Sequence, residues 1–438
     1  MISRREALGL AASSAAFTVL TRAFRLVDQY FVQFVSTPAQ AAVGTSIFVM
    51  VLFFAVVEVV AVGTAPFVAR ATGARDPEDR AFRIGNGLVC TGLVAAATTV
   101  AGGWGAGGVG GLLGLQGEAS RALGAYLRAL ATGSIFLALA PLVDQCFIAM
   151  GRARVPALLH GLSFLLNALA TPWFVFGWDL GVVGAAWGTV LARGVASSVG
   201  VLWLLRHVGL RPVHAVLRPL DMLRVGGPVA LASSMFALVY WGLLRFAISP
   251  LGPEVNAALG IGFSALEGIT WPLFHGVGLA LASAVGRSLG AGRPDGAWQA
   301  LGRFLPLSLT LGGLAWAVFW FLGSPWTGLF AADPGVHAEA TRYARALAWS
   351  QPFVAVESLL EGVIFGSGHT AWMLRISAPL NILRIPLAVA LAHGLDWGAD
   401  GVWWAVNFTT FAKAGLHAAV VLRGSWTRGP SVSARANE

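Results

Sequence analysis

Two groups of polar residues stand out in an otherwise apolar chain. The first is the run Arg25-Leu-Val-Asp28-Gln-Tyr-Phe-Val-Gln-Phe-Val35, which sets one carboxylate, Asp28, inside a long apolar segment. An ionisable group within a bilayer costs at least about 2.5–3.5 kcal/mol, so it normally faces a cavity or a partner. Arg25 offers a structural explanation, because it lies three residues earlier on the same helical face and could neutralise Asp28. The second group is Asn167, Thr171 and Thr189. Asn167 and Thr171 are four residues apart and share one helix face. A carboxylate, an amide oxygen and hydroxyls are hard oxygen groups, suited to a proton or a small hard cation. Taken singly, such Asn and Thr residues bond helix backbones in bundles; grouped with Asp28 they read as one site.

The elements that must position them follow from composition. The 438 residues are 57% hydrophobic and only 11% charged, with mean hydropathy +0.73. Soluble domains carry about a quarter charged residues, so the pattern is that of a polytopic membrane protein. Segments long enough to span, at about 20 residues each, fall near 8–35, 42–68, 84–104, 124–149, 155–176, 182–205, 223–249, 257–285, 300–323, 343–366, 374–394 and 401–422. The fold class is therefore all-α, with twelve transmembrane helices. The Arg4-Arg5 pair resembles an export signal, but the apolar stretch behind it has no small-residue cleavage site and reads as a first membrane helix. Arginines collect in alternate loops, at 70–83, 152–154, 206–224, 287–303, 375 and 423–435. The other loops hold Glu118, Asp179, Glu254, Asp333, Glu339, Asp396 and Asp400. Under the positive-inside rule both termini lie in the cytoplasm, in the plasma (inner) membrane of the cell. The net charge of +9 is then a topology signal and a lipid-headgroup contact, not a nucleic-acid site. Cys90 and Cys146 fall in apolar runs without metal spacing and read as buried thiols.

A shift of 217 residues superimposes the two halves of the chain. It pairs Arg70-Ala-Thr-Gly73-Ala74 with Arg287-Ser-Leu-Gly290-Ala291, Pro77 with Pro294, and Tyr126 with Tyr343. It also pairs Asp179 with Asp396, Gly181 with Gly398, and Trp187 with Trp404, while upstream Ala41–Gly44 meets Ala257–Gly260 one residue out of register. A repeat of six helices inserts both halves in one orientation, the plan of an alternating-access transporter. The expected organisation is an amino-terminal lobe at 1–205, a cytoplasmic linker at 206–222, a carboxy-terminal lobe at 223–423 and a tail at 424–438. At about 1.5 Å per residue, Asp28, Asn167, Thr171 and Thr189 fall at one depth, roughly 10–12 Å inside the outer ends of their helices. The matched positions of the second lobe are Arg384, Ala388 and Val406, so this polar cluster is not duplicated. Other candidates for a substrate cavity are Glu267, Glu357, Gln29 and Trp271, with Arg245 and Arg342 as partners that could quench the acids. Asp144 and its repeat partner Glu361 suggest gating or salt bridges with arginines. His160 and His275 are lone histidines in apolar surroundings, and neither suggests a metal site. No paired acid, metal or nucleophile constellation recurs at one depth, so the chain is not expected to be an enzyme.

These features resemble the multidrug and toxic compound extrusion family across nearly the whole chain. The resemblance rests on the first-helix pattern Val27-Asp28-x-x-Phe31-Val32 and on Ala65–Gly73 and Ala282–Gly290 closing two helices before arginine-rich turns. It rests further on Asn167 followed by Pro172, on Gly181-x-x-Gly184-Ala185-Ala186-x-x-Thr189, and on Gly362–Thr370. The resemblance implies cation-coupled export of small organic, often cationic or amphipathic compounds, with no cofactor beyond the coupling ion. It implies that Asp28 matches the coupling aspartate of prokaryotic members, with Asn167 and Thr189 as its polar companions. Thr171 departs from the family pattern, which commonly has a second aspartate there, and this favours protons over sodium. The protein is expected to act as a monomer in the lipid bilayer and to bind no nucleic acid. The rival reading is a lipid-linked saccharide flippase of the same superfamily, kept open by Arg22, Arg25, Arg245 and Arg384.

Overall fold

The computed structural model describes residues 24–150, 152, 154–208, 219–369 and 371–427. Arg4, Arg5, Arg22, most of the first expected span, the centre of the linker and the end of the tail lie outside these residues. The described residues form helices and no strand. In chain order they are α1 (Phe24–Val32), α2 (Thr37–Gly73), α3 (Pro77–Leu112), α4 (Gly117–Thr132), α5 (Ser134–Ala149), α6 (Arg154–Pro172), α7 (Gly181–Val208) and α8 (Pro219–Leu243). They continue as α9 (Pro253–Ile261), α10 (Glu267–Gly290), α11 (Pro294–Ala317), α12 (Gly323–Gly328), α13 (Pro334–Ala348), α14 (Gln351–Gly366), α15 (Ala371–Val389) and α16 (Ala399–Leu422). Among the described residues nine helices are long and apolar enough to cross a membrane, or ten if α4 and α5 are one bent span. Large apolar side chains cover their outer surfaces, as at Leu93, Leu165, Leu169 and Leu202, and Trp104 is 90% exposed. In water such a surface would aggregate; facing acyl chains it is the expected exterior.

Two expected spans are broken. The fourth divides into α4 and α5, which meet at an angle of 61° at Gly133. A Cβ at Gly133 would come 2.4 Å from the Val190 side chain, so the break sits where α7 presses closest. The tenth divides into α13 and α14 at Trp349–Ser350, where Pro352 opens the new helix. Proline suits a first helical turn, since its missing N–H would be unpaired there anyway.

The repeat is visible in the backbone. α6 and α15 each end in a wide π turn, Trp173–Gly177 and Ala390–Gly394. The turns that follow hold Asp179 and Asp396 at φ 54° and 56°, then Gly181 and Gly398 at 53° and 57°. Aspartate and glycine are among the few residues that tolerate this left-handed region. Asp76 caps α3, accepting from the Glu78 and Asp79 amides at 3.0 Å. Asp333 caps α13 from Gly335 at 2.7 Å and Val336 at 3.0 Å; neither cap recurs in the other half, where Arg293 and Gln116 stand at the matched positions.

The chain forms two compact units, the described parts of Ala23–Arg245 with Gly252–Gly260 and of Phe246–Leu251 with the residues from Ile261 onward. The first packs around Ala61, Ile84, Leu142, Phe147, Leu159 and Leu204. It also holds α8 against α2, where a Cβ on Gly226 would come 2.3 Å from the Val59 carbonyl. The repeat-related Gly44 and Gly260 meet in this unit, a Cβ on Gly44 falling 2.8 Å from the Gly260 Cα. The second unit packs around Leu281, Val285, Phe304, Leu359, Ile364 and Trp426.

Candidate functional site

Four helices of the first unit converge on one carboxylate. Asp28 comes from α1, Tyr126 from α4, Asn167 and Thr171 from one face of α6, and Thr189 from α7; none is more than 4% exposed. The Thr189 hydroxyl donates to Asp28 Oδ2 at 2.9 Å and the Tyr126 hydroxyl to the same oxygen at 3.1 Å. The Thr171 hydroxyl donates to Oδ1 at 3.5 Å, a longer and weaker bond. Asn167 stands behind the threonines, its amide donating to Thr171 Oγ1 at 3.0 Å and Thr189 Oγ1 at 3.2 Å. The direction of this chain is forced. Hydroxyls that donate to Asp28 have only lone pairs left for Asn167, so the amide must present N–H to them. α6 and α7 approach closely enough because residue 188 is glycine; a Cβ there would come 2.5 Å from Thr171 Oγ1.

Hydroxyl donors suit a site that changes protonation. Rotating about its C–O bond, each can donate to a carboxylate or accept from a carboxylic acid without moving a helix. The Asn167 Oδ1 atom is buried and has no hydrogen-bond partner, so the amide oxygen is not spent on the carboxylate side of the cage.

The structure thus brings Asp28, Asn167, Thr171 and Thr189 together at one level. It adds Tyr126, which sequence reasoning used only as a marker of the repeat. The repeat itself was the available signal, since Tyr343 occupies the equivalent place in the second unit. There the Tyr343 hydroxyl bonds Glu267, and Arg384 faces the same carboxylate. Arg384 is buried and also donates to Thr409 Oγ1 at 3.0 Å. The second unit therefore has a counterpart of the Asp28 cage in which the acid comes from a different helix and meets a guanidinium. The cluster itself is not duplicated, since Ala388 and Val406 stand at the places of Thr171 and Thr189.

Other expectations need adjustment. Glu357 pairs with Lys413 at 2.9 Å, while Arg342 lies 3.5 Å from Glu339. Asp144 meets an arginine through a histidine: His160 Nε2 lies 2.8 Å from Asp144 Oδ2, Arg193 Nη1 donates to His160 Nδ1 at 2.9 Å, and the Asp144 charge acts on Arg193. His160 is therefore not a lone histidine; its partners lie 16 and 33 residues away, beyond any local spacing. Gln29 is buried, and neither of its side-chain polar atoms has a hydrogen-bond partner. Its amide nitrogen sits beside the crossing of Gly44 and Gly260, 2.7 Å from where a Gly260 Cβ would be. Trp271 is 40% exposed and stacks on His275, with ring centroids 4.8 Å apart. Cys90 and Cys146 are buried free thiols.

Comparison with known proteins bears on the family and the fold. The chain is 23% identical over 445 residues to the probable multidrug resistance protein NorM of Thermotoga maritima, covering 97% of this chain and 93% of that protein. It is 24% identical over 264 residues to the multidrug export protein MepA of Staphylococcus saprophyticus, covering 57% of each. An inward-facing multidrug resistance MATE transporter matches with TM-score 0.82 and 21% identity, over 93% of this chain and 95% of that one. An outward-facing MATE transporter structure matches with TM-score 0.75 and 20% identity, over 98% and 97%. The MatE family model matches residues 14–173 and 228–390, well over half of the 438 residues. With the helical repeat and the buried polar cage, that match places the chain in the MatE family, whose members are transporters and not enzymes.

Proposed function

We propose that this chain is a proton-coupled secondary antiporter that exports small organic, often cationic or amphipathic compounds by alternating access. The observation that carries the reading is Asp28, buried among three hydroxyl donors that can serve its charged or its neutral form. Protonation from outside replaces a carboxylate that accepts three bonds by an acid that donates one. That change reorganises contacts among α1, α4, α6 and α7 and favours substrate release; the proton is later discharged to the cytoplasm. Protons are preferred to sodium because the site holds one carboxylate and its amide offers N–H, not oxygen, to the threonines. Both termini are taken as cytoplasmic, in the inner membrane, and the working unit as a monomer of two six-helix lobes. Arg384 is engaged by Thr409 and Glu267, which supports the exporter over a flippase that would need free cationic groups.

The test is dye export by proteoliposomes under separately imposed proton and sodium gradients, with wild type and Asp28→Asn. Proton-driven export in the wild type and its loss in the variant are expected. A wild-type rate in Asp28→Asn would remove Asp28 from coupling, and export driven by sodium alone would overturn the choice of ion.

A further inference from the structure

Four ionisable side chains meet between α14 and α16, apart from the Asp28 cage. They form two rungs. Glu357 and Lys413 each lie nine residues before the ends of their helices, at Gly366 and Leu422, and their ion pair is 2.9 Å long. Glu361 and His417 form the lower rung, five residues before the same ends. Ligand atoms of Glu357, Glu361 and His417 all lie within 4.8 Å of one another. Glu357 is 6% exposed and His417 is fully buried; its ring makes no well-formed hydrogen bond and faces only the Lys413 backbone of its own helix. Lys413 is the single lysine of the chain.

The charges do not balance. Two carboxylates and one ammonium leave one negative charge on Glu361, which is partly buried beside the buried Glu357, and a like charge that close disfavours ionising both. The charged neighbours that Glu361 and His417 feel are Glu357 and Lys413. Among the described residues, no other charged group acts on Glu361 or His417 from the helices packed on this pair. A bound proton supplies the missing positive charge, and the His417 imidazole stands beside the unpaired acid to share it. Asp144, the repeat partner of Glu361, bonds a histidine in its own unit, which shows that a carboxylate at this position can take an imidazole partner.

We propose that Glu357, Glu361, Lys413 and His417 form a second proton-binding site, which takes up one proton shared between Glu361 and His417 while Lys413 stays paired with Glu357. The proton comes from water and adds to a Glu361 oxygen or a His417 ring nitrogen, closing a hydrogen bond between them; on release it returns to water. The use of this proton in transport rests on the antiporter reading above, whereas its binding does not depend on Asp28.

The experiment counts protons taken up by the purified full-length protein as pH is lowered, with an indicator dye. In parallel, the carboxyl C=O stretch is followed by infrared difference spectroscopy. Glu361→Gln/His417→Gln should take up about one proton fewer than wild type, and Lys413→Met about one more, because Glu357 then needs a proton of its own. Asp28→Asn should lose a different proton, so the two losses add in the combined variant. Wild-type uptake in Glu361→Gln/His417→Gln, or no change in Lys413→Met, would overturn the proposal. If the double variant is not monodisperse, Glu361→Gln alone and Lys413→Met decide it. Calorimetric titration with Zn2+ is expected to show no stoichiometric binding. Binding that is lost in His417→Gln would make this a metal site and overturn the proton reading. An unchanged Asp28→Asn beside an altered Glu361→Gln would sink the Asp28 reading and leave this one standing.

Discussion

The Asp28 carboxylate is held by hydroxyls, and each of these bonds can be removed without altering the helix that supplies it. A hydrogen bond to a charged group contributes about 1.5–3 kcal/mol, roughly 10- to 100-fold in an equilibrium constant. Tyr126→Phe and Thr189→Val, which each remove a donor to Oδ2, should therefore slow proton-driven export at least about tenfold. Thr171→Val, whose bond is 3.5 Å, should have a smaller effect. The measurement is initial export rate in proteoliposomes, with thermal unfolding as the control for folding. Equal losses from all three would mean that the cage acts through packing and not through its bonds. Asn167 donates to both threonines, so Asn167→Ala tests whether orienting the hydroxyls matters as much as supplying them.

Among the elements, the contact between α6 and α7 decides whether a cage can form. Gly184 and Gly188 lie on one face of α7, and a Cβ at either would come within 2.6 Å of α6 or its π turn. At residue 188 the obstacle includes the Thr171 Cα at 2.9 Å, which cannot rotate away. Overpacking of this kind costs about 1–3 kcal/mol. Gly188→Ala should lower the unfolding temperature in detergent and widen the gap between Thr171 and Thr189. Gly161→Ala, on the same bundle but with no atom within 4 Å of the added Cβ, is the matched control and should not. The same logic separates the broken spans from the intact ones: α4 and α5 part at a glycine pressed against Val190, and α14 restarts behind Pro352.

For the whole molecule, topology is the expectation most open to direct test. Cys90 and Cys146 are buried, so single added cysteines can be labelled over a low background. Asp79→Cys and Asp295→Cys, at the starts of α3 and α11, should react with an impermeant thiol reagent only from the cytoplasmic side. Glu118→Cys and Asp333→Cys should react only from outside; the reverse pattern would invert the proposed orientation.

The sequence by itself determined the class of the molecule, its membrane-spanning helical character, its repeat and the candidates Asp28, Asn167, Thr171 and Thr189. Each of these follows from local hydropathy, helical spacing or the 217-residue period, which need no knowledge of what touches what. The repeat is so strict that even the left-handed turns at Asp179 and Asp396 were marked by the residues that permit them. What only the tertiary structure decided is partnership. Tyr126 lies 98 residues from Asp28, and Lys413 lies 56 residues from Glu357, separations at which no periodicity operates. Buried polar groups choose partners by proximity across helices, because in a low-dielectric interior each must be satisfied by whatever the packing brings near. That is why the depth of Asp28 could be read from the chain, while the hydroxyl cage around it could not.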